Sequence, residues 1–430
     1  MSERADPEQI LDDLRASRPE NHPRSAGRVI STDDRRARTA ASGAFAMQGL
    51  CFAGVLTQVP ALRDRFGFSE LALSLILLTV PVVAGVGSLL AGALAPRVGS
   101  AAVLRVAGLG VCAGVAAIGL ASQRPALYAA VTAFGLAVGA VDATMNMQGV
   151  AVQRRYGRSL IASCHAWWSI AGIVGSLVTA GTARLEWSLA ASLGLVAVVG
   201  AVISLASGPW LLPTDGSTPS AAAPALAPEP DGGPAAAKIP WRPLLLLGLA
   251  VMLVFIAESS TSNWSTVFLH DALDASGSVA PLGLAAYLAF QLVGRTVADR
   301  IVGRFGAVAT LTVGGLLATA GFGIVAIATV PAVAIGGFAI VGVGLCAVVP
   351  LSFSGAGALD PHQTGVAIAR VNLFNYAGFV VGAALVGVIA EVAGLRVAFA
   401  VPAVLTLGIV ALAPTFRVVD RARSTRSIAF

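Results

Sequence analysis

The chain has 430 residues, of which 56% are hydrophobic and only 12% charged, with a formal net charge of +6. Soluble domains carry roughly 25% charged residues, so this balance excludes an aqueous fold and leaves an integral protein of the lipid bilayer. The excess of positive charge does not indicate a nucleic-acid partner, because the basic residues are scattered between apolar segments and form no single stripe.

The first forty residues are polar, and the apolar run after them is too long for a signal-peptide core and lacks a cleavage site, which predicts an uncleaved anchor. Arg35 and Arg36 read as the basic flank of that helix and not as a twin-arginine signal. From there to Phe416 about twelve apolar stretches of near twenty residues follow one another, the length one bilayer crossing requires. Helices are predicted near 39–60, 69–94, 101–122, 125–152, 160–182, 187–211, 243–269, 279–299, 306–328, 331–355, 364–389 and 395–416. The Pro-, Ala-, Gly- and Ser-rich stretch from Pro213 to Pro240 cannot build a core and reads as a linker. The expected organisation is a tail (1–38), a six-helix bundle (39–211), a linker (212–242), a second six-helix bundle (243–416) and a tail (417–430).

Alternate links divide the charge unequally. One set holds Arg97, Arg105, Arg154, Arg155, Arg158, Lys238, Arg242, Arg295, Arg300, Arg304, Arg417, Arg421, Arg423 and Arg426, while the other holds only Arg63, Arg65, Arg124, Arg184 and Arg396. Lys and Arg near helix ends are retained on the cytoplasmic side, so both termini are expected inside, in a cell (inner) membrane. Cys51, Cys112, Cys164 and Cys346 all fall in apolar segments without C-x-x-C spacing, so neither a disulfide nor a metal is expected. No nucleotide loop, zinc cluster or nucleophile motif occurs, which argues against an enzyme and against a cofactor.

Ionisable residues inside the apolar stretches carry the functional signal, because a charge in hydrocarbon is costly. Asp142 lies twelve residues before Arg154, or ~18 Å from that boundary, with Asn146 and Gly149 on its face at i+4 and i+7. Glu258 lies about as deep in the seventh helix, with Thr261, Ser262 and Ser265 on its face. Both acids are candidates for carrying a proton, and either could instead tie helices together. His165, with Trp168 and Ser169 on its face, is a secondary candidate whose alternative is scaffold. Arg370 is followed by Asn372, Asn375 and Tyr376; the guanidinium either faces a cavity or snorkels to headgroups. Gln48 with Phe52, and Tyr287 with Gln291, pair an amide with an aromatic ring at i+4, suited to a hydroxylated ligand or to interhelical bonding. Gly135-x-x-x-Gly139 and Gly378-x-x-x-Gly382 read as close helix contacts.

The two halves also repeat. Gly92-Ala-Leu-Ala-Pro96-Arg97-Val-Gly99 after the second helix recurs in altered form as Gly294-Arg295-Thr-Val-Ala-Asp299-Arg300 with Gly303-Arg304-Phe-Gly306 after the eighth. On this segment the chain resembles the major facilitator superfamily along nearly its whole length after the tail, although the first copy has Pro96 where the family places an acid. The resemblance implies an all-α polytopic fold of twelve transmembrane helices in two six-helix bundles around a central cavity. It also implies a gating role for Gly294, Arg295, Asp299, Arg300, Gly303 and Arg304.

Asp142-Ala-Thr-Met-Asn146-Met-Gln148-Gly149, the Ser163-to-Ser169 segment and Glu258 with Asn263-Trp264-Ser265 resemble the YbjJ-type branch, itself similar to the proton-coupled fucose permeases. That likeness implies a secondary active transporter of a small polar, sugar-like solute, coupled to protons and working by alternating access, with the partners being solute, protons and lipid and the unit a monomer. Proton-driven efflux of a drug or metabolite is the nearest alternative, and a receptor without transport is the second.

Overall fold

The computed structural model describes residues 30–156, 160–213, 240–359 and 366–420. The expected tails and linker therefore lie largely outside the described residues. The first half comprises α1 (Thr32–Leu56), a short α2 (Val59–Phe66), α3 (Glu70–Val98), α4 (Ser100–Leu120), α5 (Arg124–Tyr156), α6 (Ile161–Arg184) and α7 (Leu189–Ser207). The second comprises α8 (Trp241–Val267), α9 (Leu282–Ile327), α10 (Pro331–Leu345), α11 (Val348–Ala358), α12 (Val366–Ala393) and α13 (Leu395–Leu412). No strand occurs among the described residues, as a bilayer demands of any spanning structure that is not a closed barrel.

Helix boundaries differ from the pattern reading where local chemistry decides them. α1 begins at Thr32, not near 39, because Ser31 caps it: its hydroxyl accepts from Asp34 N at 3.1 Å and the Asp34 carboxylate accepts from Ser31 N at 3.1 Å. That reciprocal capping box brings Arg35, Arg36 and Arg38 into the helix, and the guanidinium of Arg155 at the end of α5 lies 3.6 Å from Asp34. α9 holds the expected eighth and ninth helices in one element, broken at Gly306, whose φ of 81° and ψ of 165° are not helical. The expected tenth helix is divided into α10 and α11 around Cys346 and Ala347. Among the described residues eleven segments are long and apolar enough to cross a membrane, and Leu282–Ala298 in the first limb of α9 is a shorter apolar twelfth. Twelve traverses return the chain to the end from which it started, so both described termini lie at one end of the molecule.

Each half has its own core. Phe45, Val111, Val115, Ile118 and Leu193 are buried in the first, and Leu247, Val254, Phe322 and Phe338 in the second, where Phe399 meets Phe268 and Phe338 edge-to-face at 5.0 and 5.6 Å. The small-residue pairs do bring helices together: a Cβ on Gly135 or Gly139 would press into the α3 backbone, and one on Gly378 or Gly382 into the α8 backbone.

The repeat survives in the backbone more clearly than in the side chains. Gly99 between α3 and α4 has φ 87° and ψ 139°, nearly the geometry of Gly306, and only glycine enters that region cheaply. The two turns are then secured differently. In the first half the Gln148 amide donates to Ser100 Oγ at 2.8 Å and to Leu212 O at 2.9 Å and accepts from Leu212 N at 2.9 Å. In the second, Asp420 accepts from Ala307 N at 2.7 Å and so caps the second limb of α9.

Candidate functional site

The halves meet along a seam that is closed at the end away from the termini. After α8 the chain makes a π-helical turn, Phe268–Ala272, which directs His270 and Asp271 at the short α2 of the other half. There Arg63 bridges two acids, pairing with Asp271 across the seam and with Glu70 at 3.0 Å in its own half. His270 Nδ1 lies 2.7 Å from Asp271 Oδ1 and His270 Nε2 is 4.0 Å from Asp64. Glu391 on α12 accepts from Leu71 N at 2.8 Å, a carboxylate set at the positive N-terminus of α3. Beneath this layer Ala53, Leu56, Val59, Leu73 and Leu77 of the first half join the apolar core of the second, and a Cβ on Gly387 would collide with Ser74 and Trp264. Arg63, Glu70 and Glu391 were not recognised as functional from sequence, where each reads as an ordinary link or helix-end charge. The available signal was opposite charge on links of different halves.

Toward the terminal end the facing helices leave polar groups accessible. His165 on α6 is exposed, Arg370 and Tyr376 on α12 are exposed, and Arg295 on the first limb of α9 is partly exposed. Between the two ends lie the acids, Asp142 on α5 and Glu258 on α8, both partly exposed. Among the described residues neither carboxylate takes part in an ion pair. The Gln291 amide is within side-chain reach of Glu258, and Arg295 acts on it electrostatically.

Several expected ligand groups are engaged with the protein itself. Gln48 is buried, donates to Val138 O at 3.2 Å and accepts from Trp168 Nε1 at 3.1 Å, so its amide ties α1, α5 and α6 rather than working with Phe52 alone. Phe52 and Trp168, 6.2 Å apart by ring centroids, pack against the cores of both halves. Asn146 donates to the backbone carbonyl of Asp142 at 2.8 Å, and its amide is not bonded to the carboxylate. Gln291 donates to the Tyr287 hydroxyl at 2.8 Å, and both are buried. His165 stacks edge-on against Phe45 at 4.9 Å. Asn375 is partly buried, whereas the side chains of Asn372 and Asp299 lie outside the described residues. Of the remaining motif residues, Gly294 is packed beside Cys346 and Arg300, Gly303 and Arg304 are exposed. On the closed side of the acids lies a recess lined almost entirely by apolar groups, including Phe52, Pro81, Phe134 and Phe379, with Asn263 its one polar neighbour.

An all-helical membrane protein of two six-helix halves, closed at one end of their seam and carrying acids midway, has the architecture of a solute carrier. The sequence profile of the Major Facilitator Superfamily matches residues 41–356 and 247–430, and the chain belongs to that family. It is 32% identical over 378 residues to an uncharacterized MFS-type transporter of Yersinia pestis, an alignment covering 86% of this chain and 93% of the other. It is 27% identical to the membrane protein MosC of Rhizobium meliloti over 83% of this chain and 84% of that one. Among solved structures, the nucleoside transporter NupG superposes with a TM-score of 0.66 at 12% identity, covering 89% of this chain and 99% of that chain. The human organic anion transporter MFSD10 superposes with a TM-score of 0.62 at 17% identity, covering 88% and 99%. At such identities the two structures share the fold with this chain and nothing narrower follows.

Proposed function

We propose that the protein is a proton-coupled secondary transporter of a small polar solute, of the YbjJ-type branch, which alternates access by rocking its halves about the seam. With the termini taken as cytoplasmic, the conformation described above is inward-facing: the outer end is latched by Arg63 and Asp271 and the cavity opens to the cell interior. The observation that supports this reading most directly is the pair of accessible, unpaired carboxylates, Asp142 and Glu258, one in each half at mid-membrane depth. A carboxylate at membrane depth without an ion-pair partner is costly and persists where it performs work, and one that gains and loses a proton as the barrier changes sides couples solute movement to the proton gradient. The residues Arg300 and Arg304 at the terminal end of α9 would then change neighbours as the halves rock.

Reconstitution into proteoliposomes with an imposed pH gradient tests the proposal. Proton flux that depends on added solute is the expected result; solute binding with no flux at any gradient would point to a receptor. The apolar recess beside the acids favours one second reading, efflux of an amphipathic metabolite, which would appear in the same vesicles as proton-driven extrusion of an apolar amine and indifference to sugars.

A further inference from the structure

We infer that Arg295 is a solute-binding residue and that the solute carries a carboxylate; this rests on the transporter reading and names the class of substrate for that same cavity. The motif on which Arg295 lies suggested a gate, but its position is that of a ligand group. α6 and the first limb of α9 run antiparallel and touch where Gly172 meets Leu288. Seven residues, or about 10 Å, toward the terminal end from that contact bring His165 on one helix opposite Arg295 on the other. Arg295 follows Tyr287 and Gln291 along one face of α9 at intervals of four, and that face looks at Glu258 on α8. The guanidinium thus stands at the seam, where groups from both halves converge.

Its chemistry is unsatisfied. Among the described residues the Arg295 guanidinium makes no hydrogen bond and no ion pair, although it acts electrostatically on both His165 and Glu258. Arginine cannot shed its charge, and its five donors form a planar fork matched to a carboxylate, so a partly buried and unbonded guanidinium between the two halves is a site for an anion. Glu258 supplies the field of a counter-charge without supplying the contact. A solute carboxylate and Glu258 therefore compete for one positive charge, which ties the arrival of the solute to the charge state of the acid that the transporter reading assigns to coupling. His165, Tyr287, Gln291 and Cys346 are the other groups gathered around this guanidinium, and none of them brings a second fixed positive charge.

The test compares acids with neutral partners of the same shape on full-length protein in nanodiscs: D-glucuronate with D-glucose, D-gluconate with D-glucitol, and L-lactate with propane-1,2-diol. At least one acid is expected to raise the melting temperature where its neutral partner does not. Arg295→Gln is expected to weaken that acid at least ten-fold, and Arg295→Lys, which keeps the charge but not the fork, to fall between. Retention of the unliganded melting temperature by Arg295→Lys guards against a folding defect. Neutral members that stabilise as well as the acids, an acid response unchanged in Arg295→Gln, or no response to any acid would each overturn the inference. The two proposals fail separately. A neutral solute that drives proton flux leaves the transporter and removes the carboxylate, whereas an acid that binds through Arg295 without flux leaves the ligand and removes the transport.

Discussion

Acidic side chains occupy both the closed end of the seam and its middle, but their surroundings are opposite. At the closed end the acids that face the seam have partners from the chain: Asp271 and Glu70 share Arg63, His270 lies between Asp271 and Asp64, and Glu391 accepts from the Leu71 amide. In the middle, Asp142 and Glu258 take part in no ion pair among the described residues. Arg63, Glu70 and Asp271 retain 25%, 14% and 18% of their side-chain exposure, so the cost of desolvating them offsets much of their attraction and the net contribution of each pair is about 1 kcal/mol. Such a layer can be broken and remade at each turn of a cycle. In the proposed cycle the paired charges would set which conformation is favoured, while the acids without an ion pair would be free for a proton or a solute.

Removing a mid-seam acid should have the largest effect. Asp142→Asn is expected to abolish accumulation driven by a pH gradient while counterflow exchange stays measurable, because exchange need not discharge the proton. Accumulation at the level of the unaltered protein would remove Asp142 from coupling and erase the distinction between the two regions.

Gly387→Val attacks the closed end by volume instead of charge. Its methyl groups would collide with Ser74 and Trp264, so the two halves could not meet there. A reporter cysteine at Leu73, which is 2% exposed, should react with a membrane-impermeant maleimide roughly ten-fold faster in that background, a shift of about 1.4 kcal/mol. Unaltered labelling would mean that the barrier lies elsewhere.

A smaller change is expected from Asp271→Asn, which leaves Arg63 with Glu70 alone. About 1 kcal/mol, or roughly five-fold in the closed-to-open ratio, should be lost, and added salt should mimic part of it in the unaltered protein by screening the same pair. The same cysteine reports it. The least effect belongs to Glu391→Gln, whose amide oxygen can still accept from Leu71 N. Only the charge at the helix N-terminus is lost, worth ~0.3–1 kcal/mol, and a change in labelling above about five-fold would show that Glu391 does more than cap α3.

Much of the architecture was legible along the chain because hydrophobic length is a local property. The apolar stretches, the linker beginning near Pro213 and the glycines of the repeated segment needed no partner to be recognised. The onset of α1 is not legible in the pattern because Ser31 to Arg38 is polar except for Ala37, and its helicity comes from a cap and not from an apolar face. The acids Asp142 and Glu258 stood out against hydrocarbon-compatible neighbours. Their contrast with Asp271 did not, since Asp271 acquires its meaning from Arg63, 208 positions earlier. Spacing on one helix set Gln48 beside Phe52, yet its strongest bonds are to α5 and α6, 90 and 120 positions away.

By itself, then, the sequence determined a twelve-traverse helical membrane protein built from two related halves, with ionisable groups at depths where they are costly. Tertiary structure alone decided which charges are neutralised, which end of the seam is shut and which face Arg295 presents. Helix formation and membrane insertion follow from each segment's own apolar surface, whereas an ion pair or a cavity exists only once segments far apart in the chain have packed.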